Sequence, residues 1–256
     1  MIHPTALVDP AAELEEGVEI GPYSIIGPHV KIGAGTVVGP HAVIRGPARI
    51  GRDNRIFQFA SVGEDPQDKK YRGEHTSLEI GDRNVIREFA TLHRGTIQDQ
   101  GVTRIGNDNL FMAYTHVAHD CVVGNRVIMA NAASLAGHVH VDDDAILGGF
   151  SLVHQFCRIG QFSFSAMGSV ISRDVPPYVM VGGRPTKPHG INTVGLERHG
   201  FSSVAIRQIK KAYKIVYKTG FKLEEAIRLL EEMVNGGAEV ACLVEFLRAK
   251  GRSIIR

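Results

Sequence analysis

The chain has 256 residues, of which 43% are hydrophobic, and a formal net charge of only +2. This length and composition suffice for one large domain or two small ones, and the small charge gives no electrostatic reason to expect a nucleic-acid partner. The three cysteines lack metal-binding spacing and fit a reducing compartment better than a disulfide framework. No signal peptide or membrane-spanning stretch is recognisable, so we expect a cytoplasmic protein without stable membrane insertion.

A six-residue repeat covers most of the chain. Every sixth residue from 2 to 62 is aliphatic, and the next residue is often glycine. A second series runs from 105 to 171, broken only at Ser165, and a short third run lies between 80 and 92. Period six fits neither a helix nor an alternating strand. It predicts one short strand and one turn per repeat, three repeats per coil, and a solenoid with the aliphatic residues inside.

Two segments, 64–79 and 93–104, interrupt this period. In the first, Asp68 and Glu74 stand where aliphatic residues belong, so the segment must leave the solenoid as a loop. Loops on a rigid scaffold often carry function. We therefore expect a β-solenoid over residues 1–190 with a loop excursion at each of the two interruptions.

After the Pro-Pro pair at 176–177, which cannot continue a strand ladder, the pattern becomes helical. Ser202 or Ser203 can cap a first helix and Gly220 can end it, and its apolar and basic side chains lie on different faces. Helices are expected over residues 202–218, 222–235 and 238–250. We therefore predict a small helical C-terminal domain over residues 191–256.

A coil of 18 residues stacks residues that are 18 apart in sequence. His119, Gly137 and Gln155 then share one column, Asp120 and His138 share the next, His154 lies on the other side, and His116 precedes His119 by three residues. A neutral imidazole beside a carboxylate can take a proton from a hydroxyl near neutral pH. We interpret His119 as a candidate general base that Asp120 orients, with the backbone N–H of Gly137 facing a developing oxyanion.

Two other interpretations of the cluster stay open. Histidines are common metal ligands, although no cysteine or further carboxylate completes a tetrahedral set here. The histidines could also be solvated side chains on a repeat surface. No serine or cysteine has the context of an activated nucleophile, so we expect direct transfer without an acyl-enzyme and without a metal.

Several motifs carry a closer resemblance. They are residues 67–71 (Gln-Asp-Lys-Lys-Tyr), 93–96 (His-Arg-Gly-Thr), 116–120 (His-Val-Ala-His-Asp), 135–139 (Leu-Ala-Gly-His-Val) and 153–157 (Val-His-Gln-Phe-Cys). Over essentially its whole length the chain resembles the UDP-N-acetylglucosamine O-acyltransferases, a branch of the hexapeptide-repeat acyltransferases. The resemblance implies a mainly β fold, a left-handed parallel β-helix with a small helical C-terminal domain.

The resemblance also implies an activity. A 3-hydroxyacyl group would move from acyl carrier protein to the 3-hydroxyl of the sugar in UDP-N-acetylglucosamine, in a homotrimer with sites between subunits and no cofactor. His119 would be the general base, Asp120 its orienting group and Gly137 the oxyanion donor. The implied substrate-binding residues are Gln67, Asp68, Lys70, His116, His138, His154, Gln155, Asn192 and Arg198. This chain departs from the family at Val194, where a carboxylate is common, and at His199, where an arginine is common.

In this family a residue on a late coil closes the groove for the acyl chain, and the aligned residue here is Met167. It lies 48 residues beyond His119, which at strand spacing is about 13 Å of rise and roughly ten extended carbons. We expect a medium-length donor, near 3-hydroxydecanoyl. An exposed basic helix face would dock the acidic carrier protein by electrostatic steering; its residues are Arg207, Lys210, Lys211, Lys214 and Lys218.

Related activities are the alternatives. The lipid A N-acyltransferases share the β-helix but carry an extra N-terminal domain, whereas the repeat here begins at residue 2. Acetyl-CoA-dependent hexapeptide enzymes use a short donor that needs no long groove. A γ-carbonic anhydrase-like metalloenzyme would require a bound metal, and a non-catalytic scaffold would have the repeat without the polar cluster.

Overall fold

The computed structural model describes residues 1–234, 237–249 and 251–256. Its solenoid consists of three sheets, in which each strand pairs in parallel with the strand one coil later. The first sheet contains β1 (Leu7–Val8), β4 (Ile25–Ile26), β7 (Val43–Ile44), β10 (Ser61–Glu64), β13 (Thr91–His93), β16 (His116–Val117), β19 (Ser134–Leu135), β22 (Leu152–Val153) and β25 (Val170–Ile171).

The second sheet contains β2 (Glu13–Leu14), β5 (Val30–Ile32), β8 (Ala48–Ile50), β11 (Ser77–Ile80), β14 (Val102–Ile105), β17 (Val122–Val123), β20 (His140–Val141) and β23 (Arg158–Ile159). The third contains β3 (Glu19–Ile20), β6 (Val37–Val38), β9 (Arg55–Ile56), β12 (Val85–Ile86), β15 (Leu110–Phe111), β18 (Ile128–Met129), β21 (Ile146–Leu147), β24 (Phe164–Ser165), β26 (Val179–Gly182) and β27 (Lys187–Ile191). Only the β26–β27 pair is antiparallel among these strands of the described chain.

The solenoid has three corners, each of which joins two of the sheets. The chain passes from the first sheet to the second at the first corner, from the second to the third at the second corner, and from the third to the first at the third corner. The turns at all three corners place a residue in the left-handed conformation, for example Asp120 (φ 58°), Asp144 (φ 60°) and Tyr114 (φ 63°). Asp and Asn tolerate this region better than most side chains.

The repeated aliphatic residues fill the interior, as the sequence predicted. Val117 pairs with Leu135 in the first sheet, 18 residues later, and both are fully buried. Ser165, the one break in the series, is also buried, but its hydroxyl lies 2.8 Å from the hydroxyl of Ser151. A buried polar group costs little when it has such a partner, which explains how the core accepts a serine there.

Both loop segments leave the solenoid at the first corner, the longer between β10 and β11 and the shorter between β13 and β14. Arg94 anchors the longer loop. Its guanidinium donates to the carbonyls of Gly46 (2.9 Å) and Gly63 (2.7 Å), to the Asp65 carboxylate and to the Tyr71 hydroxyl (3.1 Å). Because this side chain is largely buried, it fixes the start of the loop against two coils at once.

Beyond the solenoid lie four helices: α1 (Thr193–Arg198), α2 (Ser203–Lys218), α3 (Leu223–Met233) and α4 (Ala238–Arg248). The Ser202 hydroxyl accepts from the Ala205 N–H (3.1 Å), which confirms the predicted cap of α2. The sequence missed α1 and the β26–β27 hairpin. Residues 235 and 250, the expected ends of the last two helices, lie outside the described residues.

The helices pack into an apolar cluster that reaches the end of the solenoid, where Tyr178 is buried against them. Isolated backbone pairing between Asp174 and Ile254 holds the chain end on the last coil. The proposed domain boundary near residue 190 stays a prediction. Among the described residues, no helix combines the length and the hydropathy needed to cross a bilayer.

Candidate active site

The centre of the site is the turn after β16, at the first corner. The Nδ1 atom of His119 lies 2.8 Å from Oδ2 of Asp120. Because an ionised carboxylate can only accept, Nδ1 carries the hydrogen and the opposite nitrogen, Nε2, keeps its lone pair in the neutral ring. No described residue hydrogen-bonds this Nε2 atom, so the pair presents a free proton acceptor at the surface of the solenoid.

Asp120 is held from three sides. Both its oxygens accept from Thr96, one from the backbone N–H (2.8 Å) and the other from the hydroxyl (2.6 Å), and its own N–H donates to the Thr103 hydroxyl (2.8 Å). Burial raises the pKa of Asp120, but the hydrogen bonds from His119 and Thr96 outweigh it, so the net pKa lies below its ordinary value. The carboxylate therefore stays ionised and fixed while it orients His119.

Gly137 lies directly above His119, in the column predicted from the 18-residue coil. A Cβ atom on Gly137 would lie 2.6 Å from Cε1 of the His119 ring, so only glycine leaves room for the imidazole. Among the described residues, no group accepts a hydrogen bond from the Gly137 N–H. A free backbone donor thus lies beside a free acceptor nitrogen.

His138 follows Gly137 and meets His119 edge to face, with ring centroids 5.1 Å apart. Its Nε2 atom lies 3.9 Å from Oδ2 of Asp120, and its Nδ1 atom lies 2.8 Å from Oδ2 of Asp99. Phe156, one coil later, stacks flat on the His138 ring at 4.4 Å. The two histidines predicted to share a site therefore do so, each with a carboxylate partner.

His116 lies in β16, the strand directly before this turn, and points outward from the first sheet. Its Nδ1 atom is 2.7 Å from the Thr91 hydroxyl, and its ring meets the buried His93 ring edge to face at 5.0 Å. Burial is the main cause of a lowered pKa at His116, and the nearby His119 lowers it further. Burial is also the main cause at His93, where His116, His119 and Arg94 add to it and the pKa falls to about 4. Both rings are therefore neutral near pH 7.

The cysteines nearest the site are not candidate nucleophiles. Cys121 and Cys157 are buried free thiols, and burial raises the pKa of each to about 12. A thiol attacks only as its thiolate. These residues therefore agree with transfer that involves no acyl-enzyme.

His119, Asp120 and His138 also form the one group of potential metal ligands found among the described residues, with atoms within 4.8 Å of one another. Their contacts have another explanation, because the nitrogens that face the carboxylates lie in hydrogen-bonded pairs with Asp120 and Asp99. The expectation that the site needs no metal stays a prediction.

The predicted sugar-nucleotide residues of the longer loop also lie at the first corner. Gln67 and Lys70 are exposed, and the Asp68 carboxylate accepts from the backbone N–H of Lys70 (2.9 Å), which shapes the turn. In the first sheet, β10 lies two strands before β16. This loop thus lies roughly 10 Å below the turn of His119, by strand spacing.

His154 and Gln155 are exposed on the coil after Gly137, and the His154 Nδ1 atom lies 3.1 Å from the Gln155 carbonyl. They flank the site but make no described hydrogen bond to His119 or His138. Met167 is 76% exposed at the third corner, beside the start of β25. It is therefore free to contact a ligand that runs along the first sheet.

Asn192 and Arg198 are not brought to this site within one chain. The Asn192 amide caps α1, accepting from the Gly195 N–H (3.1 Å) and donating to the Phe162 carbonyl (3.1 Å) at the second corner. Arg198 is exposed at the end of α1. His199 also faces the second corner, with Nε2 3.4 Å from Asp144. These residues lie at a different edge of the solenoid from His119.

Sequence reasoning missed Thr96, Thr103 and Asp99, all in or beside the shorter loop. The 93–96 motif that carried the resemblance contains Thr96, but nothing in its spacing connects it with Asp120. The loop lies outside the six-residue period, so the coil arithmetic that grouped the histidines does not apply to it.

Comparison with known proteins shows which family the chain belongs to. A family model described as UDP-N-acetylglucosamine O-acyltransferase, domain 2, matches residues 174–255, and a bacterial transferase hexapeptide model matches residues 11–46. A relative from Halorhodospira halophila, named acyl-(acyl-carrier-protein)–UDP-N-acetylglucosamine O-acyltransferase, is 58% identical over 100% of this chain and 99% of its own length. The chain belongs to the UDP-N-acetylglucosamine O-acyltransferase family.

Solved structures of this family have the same fold. The Acinetobacter baumannii LpxA structure is 49% identical, with a TM-score of 0.98 over 100% of this chain and 99% of that one. The Arabidopsis UDP-N-acetylglucosamine acyltransferase is 35% identical, with a TM-score of 0.84 over 100% of both chains. The left-handed parallel β-helix with a small helical C-terminal part, expected from the resemblance, is thereby confirmed.

Proposed function

We propose that this protein transfers a 3-hydroxyacyl group from acyl carrier protein to the 3-hydroxyl of the sugar in UDP-N-acetylglucosamine. The observation that carries the proposal is the His119–Asp120 pair, which presents a free Nε2 atom beside the Gly137 N–H in a member of this family. A hydroxyl acceptor needs a base, and the attacked thioester needs a hydrogen-bond donor for its oxyanion. Both groups lie at the first corner, on adjacent coils. We further propose that the enzyme works in the cytoplasm.

The mechanism follows from these positions. Nε2 of His119 takes the proton of the sugar 3-hydroxyl as its oxygen attacks the thioester carbonyl carbon. The carbonyl oxygen becomes an oxyanion that the Gly137 N–H stabilises. When the intermediate collapses, the C–S bond breaks and the leaving thiolate takes the proton from the His119 imidazolium, whose charge Asp120 balances. The ester and the free carrier thiol are the products, and the enzyme returns to its starting state.

An apolar path for the acyl chain supports a medium-length donor. The outward residues of the first sheet are aligned in one row, His116, Ser134, Leu152 and Val170, each paired with the next. The row changes from polar to apolar, and Leu152 and Val170 are exposed. Met167 lies beside the apolar end of this row, just before Val170. A chain that starts near His119 would therefore lie along this row and end at Met167.

The ruler can be tested by Met167→Gly against a series of 3-hydroxyacyl donors. The wild-type enzyme should prefer a chain of about ten carbons, and the variant should accept longer chains, because each buried methylene contributes about 0.8 kcal/mol. Leu152→Met, which keeps the groove apolar, is the control and should leave the preferred length unchanged. A wild-type preference for fourteen carbons would exclude Met167 as the ruler.

We propose that the active enzyme is a homotrimer with sites between subunits. Asn192 and Arg198 lie near the second corner, whereas His119 lies at the first, so one chain alone does not assemble the predicted nucleotide contacts with the base. An exposed ladder of stacked rings at the third corner, with centroids 4.8–5.3 Å apart, also fits burial against a second copy; its rings are Tyr23, His41, Phe59, Phe89 and Tyr114.

Mixed oligomers test this assembly. His119→Ala and Arg198→Ala should each be nearly inactive alone. After the two are unfolded and refolded together, about a quarter of the wild-type activity should return, because about a quarter of the interfaces would pair an intact His119 with an intact Arg198. Mixing without refolding is the control. No recovery, with trimers shown by sedimentation, would mean that both residues serve the same subunit's site.

The carrier protein would dock on the basic face of α2, where Arg207, Lys210, Lys211, Lys214 and Lys218 are exposed. Lys211→Glu with Lys214→Glu should raise the KM for the carrier in a salt-dependent way, since steering between opposite charges weakens with ionic strength. The matched control is Lys222→Glu with Arg228→Glu; Lys222 lies just before α3 and Arg228 lies on it. An unchanged KM would exclude this face.

The reaction itself is tested by incubating the purified protein with 3-hydroxyacyl carrier proteins of several lengths and UDP-N-acetylglucosamine. We expect an O-acylated sugar nucleotide by mass spectrometry. No transfer at any length would refute the assignment. Activity that is lost on metal chelation and restored by zinc would favour the metal interpretation of the His119, Asp120 and His138 group instead.

A further inference from the structure

A second histidine–carboxylate pair lies next to the first, and its carboxylate, Asp99, has no assigned role. His138 and Asp99 are 39 residues apart in sequence, yet the His138 Nδ1 atom lies 2.8 Å from Oδ2 of Asp99. Asp99 belongs to the loop between β13 and β14, and its side chain is 38% exposed, whereas that of His138 is 14% exposed. Asp99 therefore comes from a loop, whereas His138 comes from the turn that contains Gly137, the proposed hydrogen-bond donor to the oxyanion.

The position of the His138 ring leaves little freedom. One face stacks on Phe156, with the planes 10° apart, and the ring lies nearly perpendicular to that of His119. These contacts fix the plane of the ring but not which nitrogen holds the hydrogen. A carboxylate accepts and does not donate when ionised, so the contact with Asp99 requires the hydrogen on Nδ1.

We propose that Asp99 is a positioning residue that sets the tautomer of His138. With the hydrogen held on Nδ1 by Asp99, Nε2 is the nitrogen that faces the catalytic turn, on the side of Asp120 and His119. Without Asp99, the neutral ring can place its hydrogen on Nε2 instead, because the Asp120 carboxylate, 3.9 Å from that atom, attracts it. The substrate would then meet a donor where the wild-type enzyme presents an acceptor.

The same loop thus orients both histidines. Thr96 acts on His119 through Asp120, and Asp99 acts on His138 directly. The proposed consequence for catalysis rests on the proposed function, since it requires that His138 contacts a substrate. The tautomer itself does not depend on that function, and the two parts can be measured separately.

The first measurement is a long-range ¹H–¹⁵N correlation spectrum of protein labelled with [¹⁵N]histidine, with the His138 signals assigned by His138→Gln. The wild-type protein near pH 7.5 should show the hydrogen on Nδ1. Asp99→Ala should move hydrogen to Nε2, and Asp99→Asn should retain the wild-type pattern, because the amide oxygen still accepts from Nδ1. Asp82→Ala is the matched control, since the Asp82 side chain is also 38% exposed but lies at the second corner.

The second measurement is steady-state kinetics on the same variants. Asp99→Ala should lower kcat/KM about tenfold, the effect of losing one hydrogen bond to a charged group, while Asp99→Asn stays within about twofold and the unfolding temperature is unchanged. A His138 tautomer that is the same in Asp99→Ala as in the wild type overturns the proposal, whatever the kinetics. A changed tautomer with unchanged kcat/KM overturns the catalytic part of the proposal. If the wild-type enzyme transfers no acyl group, the proposed function fails, and with it the catalytic part of this proposal, while the spectra still decide whether Asp99 sets the tautomer.

Discussion

Asp120 and Asp144 occupy the same kind of turn at different corners of one solenoid. Both are in the left-handed conformation, and both are almost fully buried, at 3% and 4% exposure. At the first corner, Asp120 accepts from His119 and Thr96. At the second, Asp144 accepts from Nε (2.8 Å) and Nη2 (2.7 Å) of Arg126. The backbone is the same, and the partner is different.

The partner decides what each turn can do. A guanidinium has no acceptor and stays charged at any ordinary pH, and Asp144 raises the pKa of Arg126 further by hydrogen bonding. Its pair with Asp144 can therefore only stabilise. An imidazole gives one nitrogen to the carboxylate and leaves the other as a proton acceptor. The turn at the first corner thus has a free proton acceptor because its carboxylate is hydrogen-bonded to a histidine, whereas the carboxylate at the second corner is hydrogen-bonded to an arginine.

The sharpest way to break this comparison is to remove the reactive pair. His119→Ala and Asp120→Asn should each lower kcat by about 10²- to 10⁴-fold. The first removes the proposed base. In the second, the Thr96 N–H keeps the amide oxygen at the Oδ1 position, so the NH2 group faces Nδ1 of His119 and favours the wrong tautomer. The measurement is initial rates of acyl transfer at saturating substrates. Asp144→Asn is the matched control and should leave kcat within about twofold; an equal loss there would mean that both turns serve catalysis.

Thr96→Val tests whether the loop keeps Asp120 in place. It removes the 2.6 Å hydroxyl contact but retains the shape of the side chain and the backbone N–H contact. A hydrogen bond to a charged group contributes about 1.5–3 kcal/mol, so we expect kcat to fall about tenfold or more. Thr96→Ser, which keeps the hydroxyl, should retain most of the activity. Equal losses in both variants would assign the effect to packing.

The free energy of unfolding should depend on pH through His93 near the first corner, and not through the arginine pair at the second corner. His93 is buried and neutral, with a pKa lowered to about 4 from its ordinary 6.5. Between these values the unfolded chain binds a proton that the folded chain does not, so stability falls as the pH drops from 6.5 to 4. The expected loss between pH 7 and 4.5 is about 2 kcal/mol. Urea unfolding should show a smaller loss in His93→Gln.

The matched control for this effect is Arg126→Lys, which changes the second corner but retains a charge that does not titrate in this range. Its loss of stability between pH 7 and 4.5 should equal that of the wild type. If His93→Gln and the wild type lose the same stability on acidification, His93 is not the group that links folding to protons.

The smallest expected effect concerns the structural pair. Arg126→Met should lower the free energy of unfolding by about 1–2 kcal/mol. The substitution leaves the buried Asp144 carboxylate without its bidentate partner, but Arg126 is half exposed and solvent screens part of the interaction. Thermal unfolding checks the loss, and kcat/KM should not change. A large kinetic effect would show that the Arg126–Asp144 pair supports catalysis as well as stability.

The repeat made much of the fold and part of the site predictable. Because the coil length is 18 residues, His119 and Gly137, and likewise Asp120 and His138, had to stack, and the pairing of Val117 with Leu135 confirms that register. The same arithmetic placed Met167 48 residues, or about two and two-thirds coils, beyond His119. Asn192 was different: the family resemblance implied that it contacts the nucleotide, but the repeat gave no basis for its position at another corner, since it lies beyond the repeat.

The amino-acid sequence by itself determined the solenoid, its coil length and the grouping of the histidines, because a strict short period translates residue number directly into position. Only the tertiary structure decided which groups orient those histidines. Thr96 and Asp99 reach the turn from a loop outside the period, and Thr103 reaches it from β14, directly after that loop. There, backbone conformation and burial, rather than spacing, set which side chains meet. The repeat therefore determined where His119 lies, and the packing of the loop determined which of its nitrogens is free.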